Sequence, residues 1–331
     1  MPPPVDTEIA DAYAGAARTV TVPGLTAAYA YCASLARSHY ENFNVGGWIT
    51  PREKLPYVYA IYAWCRMVDD LGDEVSPLSH AGALASFGQI DTAVSEHRLT
   101  GLDWWSSELD LAYSGHPTHP IAIAIQDTVH KFEIPKDPFI RLIHANRIDQ
   151  GAGRFTTIDD VLDYCTYSAN PVGHLFLYLF GYSDPERQRL SDSTCTALQL
   201  TNFWQDVYRD YHDRGRVYLP QSDMDQFGVS ESQIAQGVAG DDFRALLSHE
   251  CNLAMRLFRE GAPLVNTLDR RARVPVALFT RGGVAVLEAI RKRDFDVLSA
   301  RPFLSRRQKS WLLLSTWFGS RIGLGFGLPT T

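Results

Sequence analysis

From Thr26 onward, apolar positions return at three- and four-residue intervals, while the period-2 alternation of strands is scarce. Proline and glycine fall between the periodic segments, where they punctuate helices. Thr50-Pro51-Arg52-Glu53 reads as an N-cap, a proline at the first helical position and an acidic N3, predicting a helix from Glu53 to about Val68. Thr156 and Thr157, each with an Asp three residues on, open another, and Ser191-Asp192-Ser193 opens a third. Arg214-Gly215-Arg216-Val217-Tyr218-Leu219-Pro220 reads as a loop, and later helices are expected over about 241–260, 274–299 and 305–318. The fold class is all-α. No repeat or linker divides the chain, so one domain is expected over 1–331, with a loosely ordered segment at about 1–25 and a tail at about 319–331.

Two of these helices carry acidic stripes. Tyr62, Arg66, Asp69 and Asp73 follow a 4-3-4 spacing and share a face, with Asp70 beside it. Asn202, Asp206 and Asp210 form a second stripe, flanked by Gln205 and Arg209. One such stripe is explained by a solvated face with an Arg66–Asp70 ion pair, or by a polar helix end with a basic last turn. Two stripes on otherwise apolar helices suggest carboxylates that share a cation. Hard oxygen ligands suit Mg²⁺ bridging to phosphate, which Arg214 and Arg216 are suited to fork onto.

The net charge of −7 disfavours a nucleic-acid partner. The five cysteines form no Cys-x-x-Cys pair and read as buried, reduced thiols of a cytoplasmic protein. No secretory signal is visible, and no dinucleotide fingerprint, so no nicotinamide cofactor is expected. The apolar Trp311-Leu312-Leu313-Leu314 stretch follows Arg306, Arg307 and Lys309 and is broken by Ser315, Gly319, Ser320 and Arg321. It reads either as a helix leaning on the inner face of a membrane or as a terminal helix packed on the core.

Tyr62-Ala-Trp-Cys-Arg66-Met-Val-Asp69-Asp70-Leu-Gly-Asp73 resembles the first aspartate-rich motif of the squalene/phytoene synthase family. Asn202-Phe-Trp-Gln205-Asp206-Val-Tyr-Arg-Asp210, followed by Arg216-Val-Tyr218-Leu-Pro, is similar to the second. His39-Tyr40-Glu41-Asn42-Phe43, Tyr164-Cys165 and Arg281-Gly282-Gly283 also match in order, so the resemblance covers roughly residues 30–310. It implies an isoprenoid-synthase bundle around a deep apolar cavity, with the two motifs facing each other at its mouth. It further implies Mg²⁺, or Mn²⁺ in its place, at Asp69, Asp73, Asp206 and Asp210, with Asp70 off the main stripe. Arg66, Arg216, Tyr218, Asn202, Gln205 and His39 would then serve the diphosphate of a prenyl substrate. Many relatives carry Arg at the position of Gln205. Tyr62 and Tyr164 line the cavity mouth or are plain core, His39 is near the diphosphate or is a cap or core residue, and Arg281 either binds diphosphate or pairs with a surface acid.

The stretch Tyr164-Cys165-Thr166-Tyr167-Ser168-Ala169-Asn170-Pro171-Val172-Gly173 is similar to that of the bacterial hopanoid-pathway branch, which makes hydroxysqualene from presqualene diphosphate. The Asp-Asp-Leu-Gly-Asp-Glu form of the first motif and Asp294-Phe295-Asp296-Val297-Leu298 resemble that branch too. Such an enzyme ends its reaction with water and works beside one that forms presqualene diphosphate. Asn170, with Ser168 or Tyr167, is then a candidate to hold the water. The competing reading is that Asn170-Pro171 kinks a helix and Gly173 lets it pack closely. Head-to-head prenyl transfer to presqualene diphosphate or phytoene, a non-catalytic lipid- or partner-binding homologue, and a plain helical scaffold stay open.

Overall fold

The computed structural model describes residues 24–38, 50–73, 90–151 and 153–321. Among them every regular element is a helix, and the only β-type pairing is an isolated bridge between Arg154 and Val217. These residues form two compact units. The first takes residues 24–38, 52–73 and 90–136, and the second takes 50–51, 137–151 and 153–321.

The first unit holds α1 (Leu25–Ser38), α2 (Leu55–Asp73), α3 (Ile90–Ser114) and α4 (Pro120–Phe132). Trp64 of α2 stacks on Trp105 of α3 with ring centroids 4.4 Å apart. Tyr29 of α1 donates to Asp127 of α4 at 2.7 Å. Buried Glu108 accepts from the Thr118 and His119 amides at 3.1 and 3.0 Å, and His119 caps α4 ahead of Pro120. Helix α2 starts two residues later than the Thr50 cap predicts, with Pro56 in its first turn, and runs five residues past Val68. The added turn keeps Asp69 and Asp70 within the helix.

The second unit holds α5 (Asp137–Ile148), α6 (Ile158–Ser168), α7 (Asn170–Leu179), α8 (Pro185–Arg214), α9 (Gln221–Phe227), α10 (Glu231–Gln236), α11 (Asp241–Gly261), α12 (Leu264–Thr267), α13 (Arg270–Lys292) and α14 (Arg306–Arg321). Thr157 caps α6 in a full capping box with Asp160. The expected start of α8 at Ser191 is corrected. Asp184 caps the helix through Arg187 N–H at 3.0 Å and Pro185 fills its first position, so Ser191 lies in the second turn. Gly215, at φ 64°, ends α8 in the left-handed conformation as the loop reading requires. The expected helix over 274–299 is also corrected, to 270–292. Asp269 accepts from the Arg271 and Ala272 amides and starts it early. Asp294 and Phe295 adopt positive φ and end it, and Arg244 of α11 pairs with Asp294 and Asp296 across the turn.

Helix α8 is the pillar of this unit. Its Ala197, Leu200, Phe203 and Trp204 join Phe243, Leu247 and Phe258 of α11 and Leu287 of α13 in one buried cluster. Full burial of each large apolar side chain stabilises by about 1.5–3 kcal/mol. Against α7 the contact is polar. Thr196 donates to Asn170 at 3.0 Å, His174 meets Asp192 at 2.7 Å, and Gln188 donates to Tyr178 at 3.1 Å. Each rung moves four residues forward along α7 and four back along α8, as antiparallel helices demand. A Cβ on Gly173 would lie 2.3 Å from Ser191 Oγ and 2.6 Å from Cys195 Sγ, so only glycine allows this approach.

Glu250 of α11 is fully buried, and burial, with the charge of Asp223 behind it, pushes its carboxyl up to about 9. A carboxyl held neutral in the fold and ionised in the unfolded chain loses stability for the protein as pH rises above its ordinary value of about 4.5 toward 9, by about 1.4 kcal/mol per pH unit. Urea unfolding of Glu250→Gln should therefore gain on the wild type progressively between pH 5 and pH 8. A constant difference across that window would show that Glu250 does not titrate this way.

Candidate active site

The two acidic stripes fall in different units, and each is described within its own. On α2, Val58, Ile61, Ala63 and Val68 are buried, while Tyr62 and Arg66 are partly buried and Asp69 is exposed. Arg66 forms an ion pair with Asp70 one turn away. This is the local pairing that the spacing allowed. Burial foremost raises the Tyr62 hydroxyl above its usual range, against the pull of Arg66. The side chain of Asp73 and the whole of His39 lie outside the described residues.

On α8, Asn202 is exposed, Gln205 buried, and Asp206 and Asp210 partly buried. Arg301, in the loop after α13, forks onto the Asp206 carboxylate, with its Nη2 at 2.8 Å from Oδ2 and its Nε on Oδ1. The same Nη2 donates to Gln205 Oε1 at 3.1 Å, and the Gln205 amide donates to the Pro302 carbonyl. Gln205, expected at the diphosphate, thus also fastens the Arg301 loop. A cleft of about 390 Å³ opens here, lined by Gln205, Asp206, Arg209, Gln236, Leu298 and Arg301. Asp210 is pushed up to about 6, first by burial and then by the negative charge of Asp206, against Arg214, Arg216 and Arg209.

Buried Arg216 donates its backbone N–H to the Asp210 carbonyl at 3.0 Å, and its guanidinium lies 3.6 Å from the Asp149 carboxylate and 3.4 Å from the Asp149 carbonyl. Tyr164 donates to the same carboxylate at 2.9 Å. Asp149, just past α5, therefore holds Arg216 and Tyr164 together. Tyr218 stacks on Phe203 at 3.7 Å and 7° between planes, with Tyr164 and Phe155 beside it. Burial raises both tyrosine hydroxyls well above their usual range. This is an aromatic wall that ends in a clamped guanidinium.

At the other candidate stretch, α6 stops at Ser168, Ala169 is the joint, and Asn170 begins α7. Asn170 is buried and its Oδ1 accepts from Thr196. Ser168 donates to the Tyr164 carbonyl at 3.1 Å, and Tyr167 meets His144 edge-on. The kink and the close approach at Gly173 are both present, so the packing reading holds at this joint whatever else Asn170 does. Arg281 pairs with hydroxyls rather than with the expected surface acid. It donates to Thr316 and Ser315 of α14 at 2.6 and 3.0 Å and ties that helix to α13. Among the described residues no group of three or more His, Cys, Asp or Glu side chains is placed to hold a metal ion.

Sequence reasoning missed Arg301 and Asp149. Each is one charged residue in a loop, 95 residues from Asp206 and 67 from Arg216 respectively, with no periodic signal.

The helices and these motifs together define an isoprenoid-synthase fold, and the chain belongs to the squalene/phytoene synthase family, which it matches over residues 36–308. That is a family of enzymes acting on prenyl diphosphates. Among solved structures, squalene synthase HpnC from Alicyclobacillus acidocaldarius is 40% identical, covering 82% of this chain and 96% of its own, with a TM-score of 0.73. A dehydrosqualene synthase in complex with ligand superposes with a TM-score of 0.77 over 90% of this chain and 98% of its own, but at 24% identity it speaks for the fold alone. Phytoene synthase 1, chloroplastic, of Solanum lycopersicum is 30% identical over 88% of this chain and 68% of its own length.

The Arg301–Asp206 pair should show a coupling of about 1 kcal/mol in a double-mutant cycle of Arg301→Ala and Asp206→Asn read by urea unfolding. Strictly additive losses would mean that the two side chains are not paired in solution.

Proposed function

We propose that this chain converts presqualene diphosphate and water into hydroxysqualene and diphosphate. The observation that carries the reading is Asn170. Its amide is buried at the start of α7, and Thr196 fixes its orientation. A water needs a polar partner of this kind to stay within a mostly apolar cavity. The 40% identity to a squalene synthase, against 30% to a phytoene synthase, supports the same branch.

In this reaction the carbon–oxygen bond to diphosphate breaks and its electron pair leaves with the diphosphate. The cation rearranges, water adds at carbon, and one proton is lost. No reductant is needed. Arg216, clamped by Asp149, takes up charge on the leaving group. Tyr164, Tyr218 and Phe203 present ring faces, whose quadrupoles favour a cation. Mg²⁺, or Mn²⁺, supplies Lewis-acid stabilisation of the departing diphosphate when bound. Asp206 and Asp210 fit this ion, since burial and the charge of Asp206 one turn away raise the cost of ionising Asp210 until a cation arrives. By the motif resemblance, Asp69, Asp70 and Asp73 would also serve the ion, and Asn202, Gln205, Arg66, Tyr62 and His39 would serve the diphosphate. A presqualene diphosphate-forming enzyme would supply the substrate. The second reading, head-to-head prenyl transfer to phytoene, is favoured by the likeness to phytoene synthases.

Incubation with presqualene diphosphate and Mg²⁺, without a nicotinamide, should yield hydroxysqualene. Untouched presqualene diphosphate together with phytoene from geranylgeranyl diphosphate would overturn the assignment. Asn170→Ala should lower the hydroxysqualene share of the products and release other hydrocarbons or alcohols. Unchanged rate and purity would remove Asn170 from water capture. Because Asp210 must be ionised to bind a cation, Mn²⁺ affinity should fall as pH drops below about 6, approaching tenfold per unit. A flat Mn²⁺ titration between pH 7 and pH 5 would count against Asp210 as a ligand.

A further inference from the structure

Residues 297–331 carry five basic side chains (Arg301, Arg306, Arg307, Lys309 and Arg321) and no acidic one, in a chain whose net charge is −7. The remainder is correspondingly more acidic, so this stretch is a positive pole on an anionic protein. Helix α14 lies within it and has two distinct faces. Thr316 is fully buried and, with Ser315, accepts the Arg281 hydrogen bonds from α13. On the other side Arg307, Trp311 and Leu314 follow one another at i, i+4 and i+7 and are all exposed, Trp311 at 70% and Leu314 at 54%. Lys309, seven residues ahead of Thr316, is exposed on the opposite side, and Phe303, three residues ahead of the helix, is 74% exposed. Large aromatic and aliphatic groups lie beside a cation here on a surface that the core does not use.

We propose that this face of α14, together with Phe303, docks on the surface of an anionic lipid bilayer. The helix lies in the interface and does not cross it, since among the described residues no helix is long and apolar enough to span. Trp311 and Phe303 enter the headgroup boundary, where amphipathic and aromatic rings partition, and Leu314 reaches the first acyl carbons. Arg307 meets lipid phosphate. Charge also argues against a second copy as the occupant. A symmetric pairing through this face of a basic segment would bring like charges together, whereas an anionic bilayer complements them and repels the rest of the chain. Docking therefore has one preferred orientation.

The test is flotation of the full-length protein with vesicles of phosphatidylcholine, with and without phosphatidylglycerol. Binding is expected only to vesicles containing phosphatidylglycerol, and it should weaken as salt is raised. The double substitution Trp311→Ser, Leu314→Ser should abolish it while leaving the melting temperature unchanged. Arg307→Glu should weaken it by about fivefold or more, as expected for a base at an anionic surface. Equal recovery with both vesicle types, no recovery with either, or binding indifferent to these substitutions would overturn the proposal. So would a concentration-dependent dimer that Trp311→Ser, Leu314→Ser dissociates, which would assign the face to a second copy. Because the vesicles carry no substrate, the result stands apart from the identity of the reaction product.

Discussion

The second unit depends on one constraint, which is that a thirty-residue helix carrying many polar side chains runs through its centre. Helix α8 buries Ser191, Thr194, Thr196, Thr201 and Gln205. A buried polar group without a partner costs more than a hydrogen bond returns, so the neighbours of α8 are chosen by what they can pair. In its N-terminal half α7 pairs Gln188, Asp192 and Thr196 rung by rung, while Thr194 and Thr201 donate to carbonyls one turn back in α8 itself. In its C-terminal half the problem changes from hydrogen bonds to charge, because Asp206 and Asp210 sit one turn apart and partly out of water. Cations answer there, with Arg301 forked on Asp206 and Arg216 close under Asp210. The helix that builds the core and the helix that presents the acids are the same element, and this is how a stable scaffold holds two repelling carboxylates.

How much of this was legible in the sequence depends on the range of each interaction. Helices announce themselves through local periods and caps, so the capping box at Thr157 and the glycine stop at Gly215 were readable. The acidic stripes were readable for the same reason, since helical spacing alone puts Asp206 and Asp210 on one face. Errors came where two local signals competed. Ser191-Asp192-Ser193 has the composition of a cap, but Asp184, followed by Pro185, is a better one seven residues upstream. The Asp294–Leu298 stretch reads as more helix, yet Asp294 and Phe295 turn left-handed because Arg244 holds the turn from another helix. Arg301, Asp149 and the Arg281 bond to α14 are tertiary facts, and no periodicity records them. The motif resemblance covered the acids and Arg216 but not the residues that fix them in place.

The acids also say less about the product than their prominence suggests. In the proposed reaction the carboxylates and the clamped arginine would assist the departure of diphosphate, a step common to condensation, rearrangement and hydration. The fate of the resulting cation depends on which nucleophile it meets, and this is decided among apolar walls where a single polar group matters. The joint at Ala169 is the place in the second unit where the chain breaks a helix, buries an amide and pins it to Thr196. Its packing role and its proposed chemical role do not compete. A water-holding amide must be rigid, and the Gly173 contact and the polar ladder supply that rigidity.

The loop between α13 and α14 binds these themes together. It is closed at one end by Arg244 on Asp294 and Asp296 and at the other by the Gln205 amide on Pro302. Between those anchors Arg301 faces inward to Asp206, and immediately after them Phe303 faces out. Only Pro302 therefore separates the cation that neutralises the acidic helix from the aromatic ring that leads the apolar, basic face of α14. A short loop with both ends fixed can present one face to the acidic helix and the other outward without the two interfering, because neither contact has to move the other.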